Sequence, residues 1–418
     1  MSQLPNQNHQ HPTIALVEWN WLGHHPGYAV QFALAASKAG INVAPFCCNP
    51  ADFEQRLQDL APTDDSLKGC IYKASQIHWA HPRSGIPLRL RPIHQAIHHF
   101  GFLGKQLRRW SRKHKVMIDK VFFCSIYDRE FQYFRFAQPF FRYRWTGLYF
   151  NSAFFRIPAE FRGDRYACPE KIFTLSTCSG AAVLDPSAIQ PMQTMLGTDT
   201  KKVVSFPDFT DFKPSPVVQG NESDARLAAK IREFANGRKI ISLVGYLQRS
   251  KGIQDFTAAA QDPELRDAFF FLGGEINWRG ISDNERFRLV QRWEQCDNFY
   301  AHLHRLSTEA TLNAVIAESD VIYAAYVDFP NSSNVITKAA LMHKPVLVND
   351  GYLMAENVRK YGLGEITHSG NIEDQCNRLK QMLSPGYRDT LKAKARWMEY
   401  IERNSADLLP AVLRDLLS

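Results

Sequence analysis

The chain contains no apolar run near the roughly 18–20 residues that a helix needs to cross a bilayer. Its opening, MSQLPNQNHQHP, lacks the basic and apolar regions of a signal peptide, so we do not expect export. Cysteine is sparse, and no Cys-x-x-Cys pair occurs among the eight residues at positions 47, 48, 70, 124, 168, 178, 296 and 376. We therefore expect reduced, mostly buried thiols in a cytoplasmic protein, rather than disulfides or zinc ligands.

The composition is that of a globular chain with large cores. Of the 418 residues, 45% are hydrophobic and 22% are charged. A chain of this length exceeds one ordinary domain, and two domains of about 200 residues each are the natural expectation.

Positive charge is concentrated in one segment, residues 83–120, where ten Lys and Arg residues accompany a single acid, Asp119. Apolar residues recur there at helical spacing, at positions 93, 97, 100, 103, 107 and 110, beside Lys105, Arg108, Arg109 and Arg112. One interpretation is an amphipathic helix facing an anionic membrane surface. The other is a domain helix with its apolar stripe in the core. Nucleic acid is not favoured, because no recognised nucleic-acid-binding motif accompanies the charge.

Apolar runs alternate with helical stretches in the first half. TIALVEW (13–19) precedes a glycine-containing turn, a helical stretch ending at Gly40 and the run INVAPFCC. This order predicts a βα unit that opens a parallel sheet. KVFFCSIYD (120–128), KIFTLS (171–176) and KKVVSFPD (201–208) predict further strands of that sheet.

The second half repeats the alternation after a linker-like segment, FTDFKPSPVVQGNESDAR (209–226), which is rich in Pro, Gly, Ser and charge. The strand-like runs are RKIISLVGY, AFFFLGG, NFYAHL, DVIYAAY and KPVLVND. The sequence thus predicts an α/β protein with two Rossmann-like parallel-sheet domains, over residues 1–208 and 227–385. Such a pair favours a ligand in the cleft between the domains, at the carboxyl ends of strands.

The first candidate loop is LGHHPGY (22–28). Gly23 and Gly27 allow a tight turn and a close approach to a ligand, but the dinucleotide fingerprint G-x-G-x-x-G is absent. His24 or His25 is suited to substrate contact or proton transfer, because histidine titrates near neutrality. The alternative is a histidine that is hydrogen-bonded within the turn.

The second loop is VGYLQRSKGIQDF (244–256), in which Gly245 ends a strand. Arg249 and Lys251 stand at the start of the following helix, whose N-terminus already favours anions. We therefore expect a phosphate clamp, with a solvated basic pair as the alternative.

The third loop, PNSSN (330–334), opens another helix. Asn331, Ser332 or Ser333 is suited to cap that helix, and Asn334 completes the turn. The free N–H groups of both helices would then address one diphosphate.

Four segments in order make the second half resemble the nucleotide-sugar-binding domain of GT-B fold glycosyltransferases, in particular the retaining family 4. They are VGYLQRSKGIQDF, NFYAHLHRLSTEATLNAVIAESDVIYAAY, ALMHKPVLVNDG and AENVRKYGLGEI. The first half is similar through GHHPG and WTGLYF. The resemblance implies two Rossmann-like domains facing across a cleft, with the terminal helices, residues 386–418, packing back toward the first domain.

The resemblance also assigns donor-site residues. An Arg usually follows the glycine of the first strand, and a Lys five positions later also binds the donor diphosphate; here these are Tyr246 and Lys251. Arg249 is a candidate substitute for the missing Arg. The two glutamates usual in the family fall on Pro330 and Lys338. Lys338 would keep the positive charge around the diphosphate, but it cannot accept ribose hydroxyl protons as a carboxylate does.

Acceptor contacts should come from the first domain, through Gly23, His24, His25 and Asp128 at the end of KVFFCSIYD. For Asp128, the alternative is an outward-pointing helix cap or an ion pair near Arg129. The absence of Asp-x-Asp agrees with the metal-independent chemistry that the resemblance implies, so we expect no metal and no cofactor.

We therefore expect a retaining glycosyltransferase, moving a sugar from a nucleotide-diphosphate donor to a lipid-linked or polysaccharide acceptor. It would act in the cytoplasm, at the inner face of the membrane. The substitutions at Tyr246 and Lys338 keep a second hypothesis open, a GT-B-fold protein that is a binding partner or subunit without transferase activity.

Overall fold

The computed structural model describes residues 11–21, 23–61, 69–77, 87–157, 168–197, 200–210, 222–306 and 309–417, with backbone only at 129 and 222–225. The chain divides into two compact units. The first consists of residues 1–207 and 406–418, and the second of residues 208–405. Most of the predicted linker, residues 211–221, lies outside the described part of the chain, as does Leu22.

Within the described ranges, the first unit holds a seven-stranded parallel sheet in the order β3-β2-β1-β4-β5-β6-β7. Its strands are β1 (Thr13–Glu18), β2 (Asn42–Cys47), β3 (Ser75–Gln76), β4 (Lys120–Ile126), β5 (Trp145–Tyr149), β6 (Gly180–Val183) and β7 (Lys202–Ser205). Every residue of β1 and β4 is buried, as expected for central strands covered on both faces.

The helices of the first unit are α1 (His25–Lys38), α2 (Pro50–Leu60), α3 (Arg91–His114), α4 (Asp128–Phe131), α5 (Glu170–Phe173), α6 (Ile189–Leu196) and, last in the chain, α16 (Leu409–Leu417). Short 3-10 turns occur at Phe134–Ala137, Ser152–Phe155, Pro186–Ala188 and Ala406–Leu408. The core is rich in aromatic rings; Phe100 contacts Phe123 and Phe134, and Phe134 contacts Trp145.

One predicted strand of this unit is wrong. KIFTLS (171–176) does not form a strand; its first residues belong to α5, and the next strand starts only at Gly180. Ile172 and Phe173 are buried from this helix. A short apolar run satisfies a helix as well as a strand, so periodicity alone did not separate the two.

In the second unit, the described residues form a six-stranded parallel sheet in the order β10-β9-β8-β11-β12-β13. The strands are β8 (Lys239–Val244), β9 (Ala268–Gly273), β10 (Phe299–His302), β11 (Val321–Ala324), β12 (Val346–Asn349) and β13 (Gly364–Thr367). The predicted α/β class with two parallel-sheet domains is therefore confirmed.

The helices of the second unit are α7 (Glu222–Ala235), α8 (Ile253–Ala260), α9 (Asp283–Gln295), α10 (Glu309–Glu318), α11 (Asn334–Leu341), α12 (Leu353–Tyr361), α13 (Ile372–Leu383), α14 (Tyr387–Lys394) and α15 (Trp397–Arg403). In the described residues of this unit, 3-10 turns also occur at Arg249–Lys251 and Pro263–Leu265. Of the segment 386–418, α14 and α15 lie in the second unit and α16 in the first.

The apolar stripe predicted in the basic segment lies on α3. Phe100, Leu103, Leu107 and Trp110 are buried in the core of the first unit. This part of the stripe therefore packs as in a domain helix, whereas Ile93 and Ile97 are only half-buried. The basic residues lie on the other faces of α3. Over the described residues, no helix is both long and apolar enough to cross a membrane.

All eight cysteines are described, and all are free thiols. Four of them, at positions 47, 124, 178 and 376, are buried, and the other four are partly exposed.

Candidate functional site

The loop that follows β8 is held close to its neighbours by two glycines. Gly274, at φ 140, lies against Gly245, and a Cβ added to it would come within 1.8 Å of the Gly245 carbonyl oxygen. Gly252, at φ 72, is the N-cap of α8, and a Cβ there would come within 2.7 Å of the Ala325 carbonyl oxygen. Both positions therefore exclude a side chain, and the start of α8 lies directly beside the end of β11.

Lys251 lies in this loop on an aromatic cradle. Its Nζ is 3.7 Å from the ring centroid of Tyr326 and 5.0 Å from that of Phe329. Both rings belong to the turn after β11, so this turn holds the lysine by cation–π attraction. No carboxylate among the described residues forms an ion pair with Lys251. Its positive charge is therefore available for a bound anion.

The same tyrosine connects Lys251 to the start of α11. The Tyr326 hydroxyl is 3.5 Å from Oγ of Ser333, the N-cap residue of α11. Asn349 at the end of β12 donates from Nδ2 to the Tyr326 carbonyl oxygen at 2.8 Å. Its own Oδ1 is buried and has no hydrogen-bond partner among the described residues. Lys251, the N-cap of α11 and the Asn349 amide thus all contact Tyr326, the first two through its side chain and the amide through its main-chain carbonyl.

The predicted capping of α11 by a side chain is wrong. Ser333 is the N-cap, but its side chain makes no capping bond. The Ser332 hydroxyl donates to the Asp208 carboxylate instead, and Asn334 Nδ2 donates to the Phe209 carbonyl oxygen at 2.7 Å. These side chains therefore hold the segment at residues 208–209, while Asn331 lies half-buried in the turn.

The other two predicted basic residues are engaged elsewhere. Arg249 donates from Nη1 to the Gly280 carbonyl oxygen at 2.9 Å and lies 3.9 Å from the Glu285 carboxylate. Lys338 is buried, with Nζ 2.6 Å from Glu309 Oε2 and 3.3 Å from Asn313 Oδ1. A buried ammonium requires such partners. Lys338 therefore adds no unpaired positive charge beside Lys251. Direct contact of Arg249 or Lys338 with a donor stays a prediction.

In the first unit, a buried carboxylate orients His25 at the start of α1. Glu18, the last residue of β1, accepts a hydrogen bond from Ser125 Oγ at 3.0 Å and from the Asn20 N–H at 2.7 Å. Its Oε2 is 3.0 Å from His25 Nδ1. The other ring nitrogen of His25, Nε2, lies 3.3 Å from the Tyr127 hydroxyl. With Nδ1–H donating to Glu18, Nε2 is left to accept from Tyr127.

The predicted alternative of a histidine bonded within the turn is not what the structure has, because the partners of His25 come from β1 and from the residue after β4. His24 is exposed and stacks on His25, with ring centroids 4.7 Å apart. The dense surroundings nevertheless remove enough water to lower the pKa of His24, and His25 lowers it further. Gly23 is exposed at φ 61, and Gly27 lies inside α1.

Asp128, the first residue of α4, points inward. It is 3% exposed, and Oδ1 accepts a hydrogen bond from the Tyr149 hydroxyl at 2.8 Å. Its Oδ2 is buried and has no partner among the described residues. Burial raises the pKa of Asp128 to about 7, against the opposing effect of the Tyr149 hydrogen bond. The alternative of an outward cap is therefore wrong, and the side chain of Arg129 lies outside the described atoms.

Glu18, Tyr127 and Tyr326 were not identified from the sequence. Each lies at or near the end of an apolar, strand-like run. For Glu18, an acid within the run TIALVEW was a signal. The tyrosines carried no comparable signal, because aromatic residues at strand ends usually pack in the core.

No protein-family model and no curated protein matches the chain. Solved structures do. A glycosyltransferase from Rickettsia africae ESF-5 aligns with a TM-score of 0.64 at 14% identity, over 98% of this chain and 100% of that one. HepE from Anabaena, in complex with UDP and glucose, aligns at 0.65 and 12% identity, over 97% and 99%. WaaG, a glycosyltransferase involved in lipopolysaccharide biosynthesis, aligns at 0.61 and 14%, over 97% and 99%.

These structural alignments establish the fold, but identities this low leave the family open. The two parallel sheets, of seven and six strands in the described residues, match these neighbours over nearly the whole length of both chains. The chain therefore has the two-domain α/β fold of GT-B glycosyltransferases.

Proposed function

We propose that the protein is a glycosyltransferase that binds the diphosphate of a nucleotide-sugar donor at Lys251. The observation that supports this most directly is the unpaired Lys251 ammonium on the Tyr326 and Phe329 rings, beside the N-cap of α11. A lysine with no carboxylate partner, near helix N-termini, suits a phosphate group. The neighbours add support, since HepE has been solved with UDP and with UDP-glucose.

The leaving diphosphate gains negative charge as the bond between its oxygen and the anomeric carbon of the donor sugar breaks. Lys251 and the N–H groups that open α8 and α11 would stabilise that charge without any reorganisation of solvent. This division of work needs no metal ion, and we propose metal-independent transfer with retention at the anomeric carbon.

The acceptor would bind in the first unit. His24 is exposed there, and His25 is fixed by Glu18 so that Nε2 faces the Tyr127 hydroxyl. The Asp128 side chain is buried against Tyr149, so we do not include it among the proposed acceptor contacts. We propose a lipid-linked or polysaccharide acceptor, because one structural neighbour, WaaG, takes part in lipopolysaccharide biosynthesis.

Calorimetry with UDP-, GDP-, ADP- and TDP-sugars in the presence of a chelator tests this proposal. We expect saturable binding of one donor, weakened about 10- to 100-fold in Lys251→Ala, because a charge-assisted hydrogen bond contributes about 1.5–3 kcal/mol. Arg249→Ala is the matched control from the same turn, and its effect should be small because Arg249 bonds Gly280. Equal losses in the two variants would contradict the assignment, and the anomeric configuration of a product, read by NMR, would decide retention.

A second function is favoured by Tyr246 and Lys338. Tyr246 is 54% exposed where the resemblance places an arginine, and Lys338 is occupied by Glu309. A GT-B-fold protein that binds partners without turnover would show no donor binding in the same calorimetry. Recovery of binding in Lys338→Glu would identify the loss of the ribose carboxylate as the cause.

A further inference from the structure

One surface of the first unit is both strongly basic and unusually aromatic. Helix α3 carries no acidic residue, and its side chains outside the core include Lys105, Arg108, Arg109 and Arg112, all at least partly exposed. Phe102, on the same helix, is 37% exposed although Phe100 and Leu103 beside it are buried. The exposed ring therefore belongs to the basic faces of α3 and not to its core stripe.

The segment after α4 continues this surface. Two glycines of α3 let the segment approach the helix closely, because a Cβ at Gly104 would come within 2.8 Å of the Phe140 carbonyl oxygen and one at Gly101 within 3.3 Å of the Phe140 Cβ. Arg108 donates from Nη1 to the same carbonyl at 3.4 Å. Phe140 thus lies on α3, next to its basic side chains.

This segment, residues 131–144, also lacks acids and exposes aromatic rings. Phe140 is 52% exposed and Phe136 is 37% exposed, while Phe131, Phe134 and Phe141 are buried. Arg135 lies over the Phe136 ring at 4.7 Å. We name as the basic aromatic face the exposed residues Phe102, Lys105, Arg108 and Arg109 of α3 with Arg135, Phe136, Phe140 and Arg142.

We propose that the basic aromatic face binds an anionic lipid surface. Three exposed phenylalanines leave water when they enter the headgroup and acyl boundary, and five basic side chains around them meet the lipid charge. Each such residue near an anionic bilayer contributes about fivefold in affinity. The face lies outside the apolar stripe that the sequence suggested for this role.

Sedimentation of the full-length protein with vesicles tests this inference independently of any transferase activity. Binding should occur with phosphatidylcholine mixed with phosphatidylglycerol, be weak with phosphatidylcholine alone, and fall with rising salt. Lys105→Ala combined with Arg109→Ala should lower the partition coefficient about 25-fold, two factors of about five. The matched control is Lys392→Ala with Lys394→Ala, which removes equal charge from exposed positions of α14 and should leave binding unchanged.

The aromatic contribution has its own variant pair. Phe140→Ser should lower binding about tenfold and leave a component that salt abolishes. Phe287→Ser, at a ring 64% exposed in the second unit, should have no effect. Thermal unfolding of all variants separates lost binding from lost folding. Equal effects of test and control variants would overturn the proposal. So would binding to single-stranded DNA that depends on Lys105 and Arg109 but not on Phe140, since it would identify a nucleic-acid surface instead.

Discussion

The buried carboxyl of Asp128 makes a prediction whose size follows from its surroundings. Its pKa is raised from 3.8 to about 7, because burial disfavours the charged form and the single hydrogen bond from Tyr149 compensates only in part. A difference of about three pKa units corresponds to roughly 4 kcal/mol. That is the free energy by which ionising Asp128 destabilises the folded protein relative to the unfolded one.

The sign of the pH dependence follows from where the proton is held more tightly. The folded state binds the proton of Asp128 more strongly than the unfolded chain does, so this residue costs no stability below about pH 4. The cost grows as the pH rises from about 4 to about 7 and is constant above that. Asp128→Asn has no charge to desolvate and should escape the cost. Its stability relative to wild type should therefore increase across this window, by up to roughly 4 kcal/mol.

Urea unfolding of wild type and Asp128→Asn between pH 4 and 9, monitored by tryptophan fluorescence, measures this difference. The control is Asp267→Asn, because Asp267 is exposed in a turn. A carbon-13 titration of the Asp128 carboxyl gives the pKa directly. A midpoint near 4, or a constant difference between the Asn variant and wild type over the whole range, would refute the reasoning.

Two further predictions concern the second unit. Glu309→Gln should lower the free energy of unfolding by about 1–3 kcal/mol, since it leaves the buried Lys338 ammonium with a neutral partner. Adding Lys338→Met should restore much of that loss. Thermal melts of the wild type and these two variants would show no recovery if the pair were unimportant. Gly274→Ala should lower the free energy of unfolding by more than about 2 kcal/mol, because its Cβ would collide with the Gly245 carbonyl. The control Gly280→Ala, at φ 84 in open space, should lower it by about 1 kcal/mol. Equal melting temperatures of the two variants would argue against the close approach.

The alternation of apolar runs and helical stretches was enough to predict the fold. TIALVEW, KVFFCSIYD and the five runs of the second half all form parallel strands, because central strands buried on both faces need continuous apolar sequence. KIFTLS is also a short apolar run, but its first three residues belong to a helix and none forms a strand, which shows the limit of that signal. The stripe at positions 93–110 predicted a helix with an apolar face but not what would cover it. Only the packing of Phe100 and Leu107 in the core decides that.

The candidate site was less predictable, because its polar groups are paired across elements that lie far apart in sequence. Lys251 could be identified from its position after a strand, but Tyr326 and Phe329, which hold it, belong to a different loop. Lys338 was interpreted from its charge alone as a free cation near a phosphate, whereas the burial of its ammonium makes a carboxylate partner necessary. Glu309 meets that need from the start of α10, and its side chain remains 45% exposed. A carboxylate is therefore present beside position 338 after all, supplied by another helix, and the net charge there is close to zero, not the one positive charge that the sequence suggested.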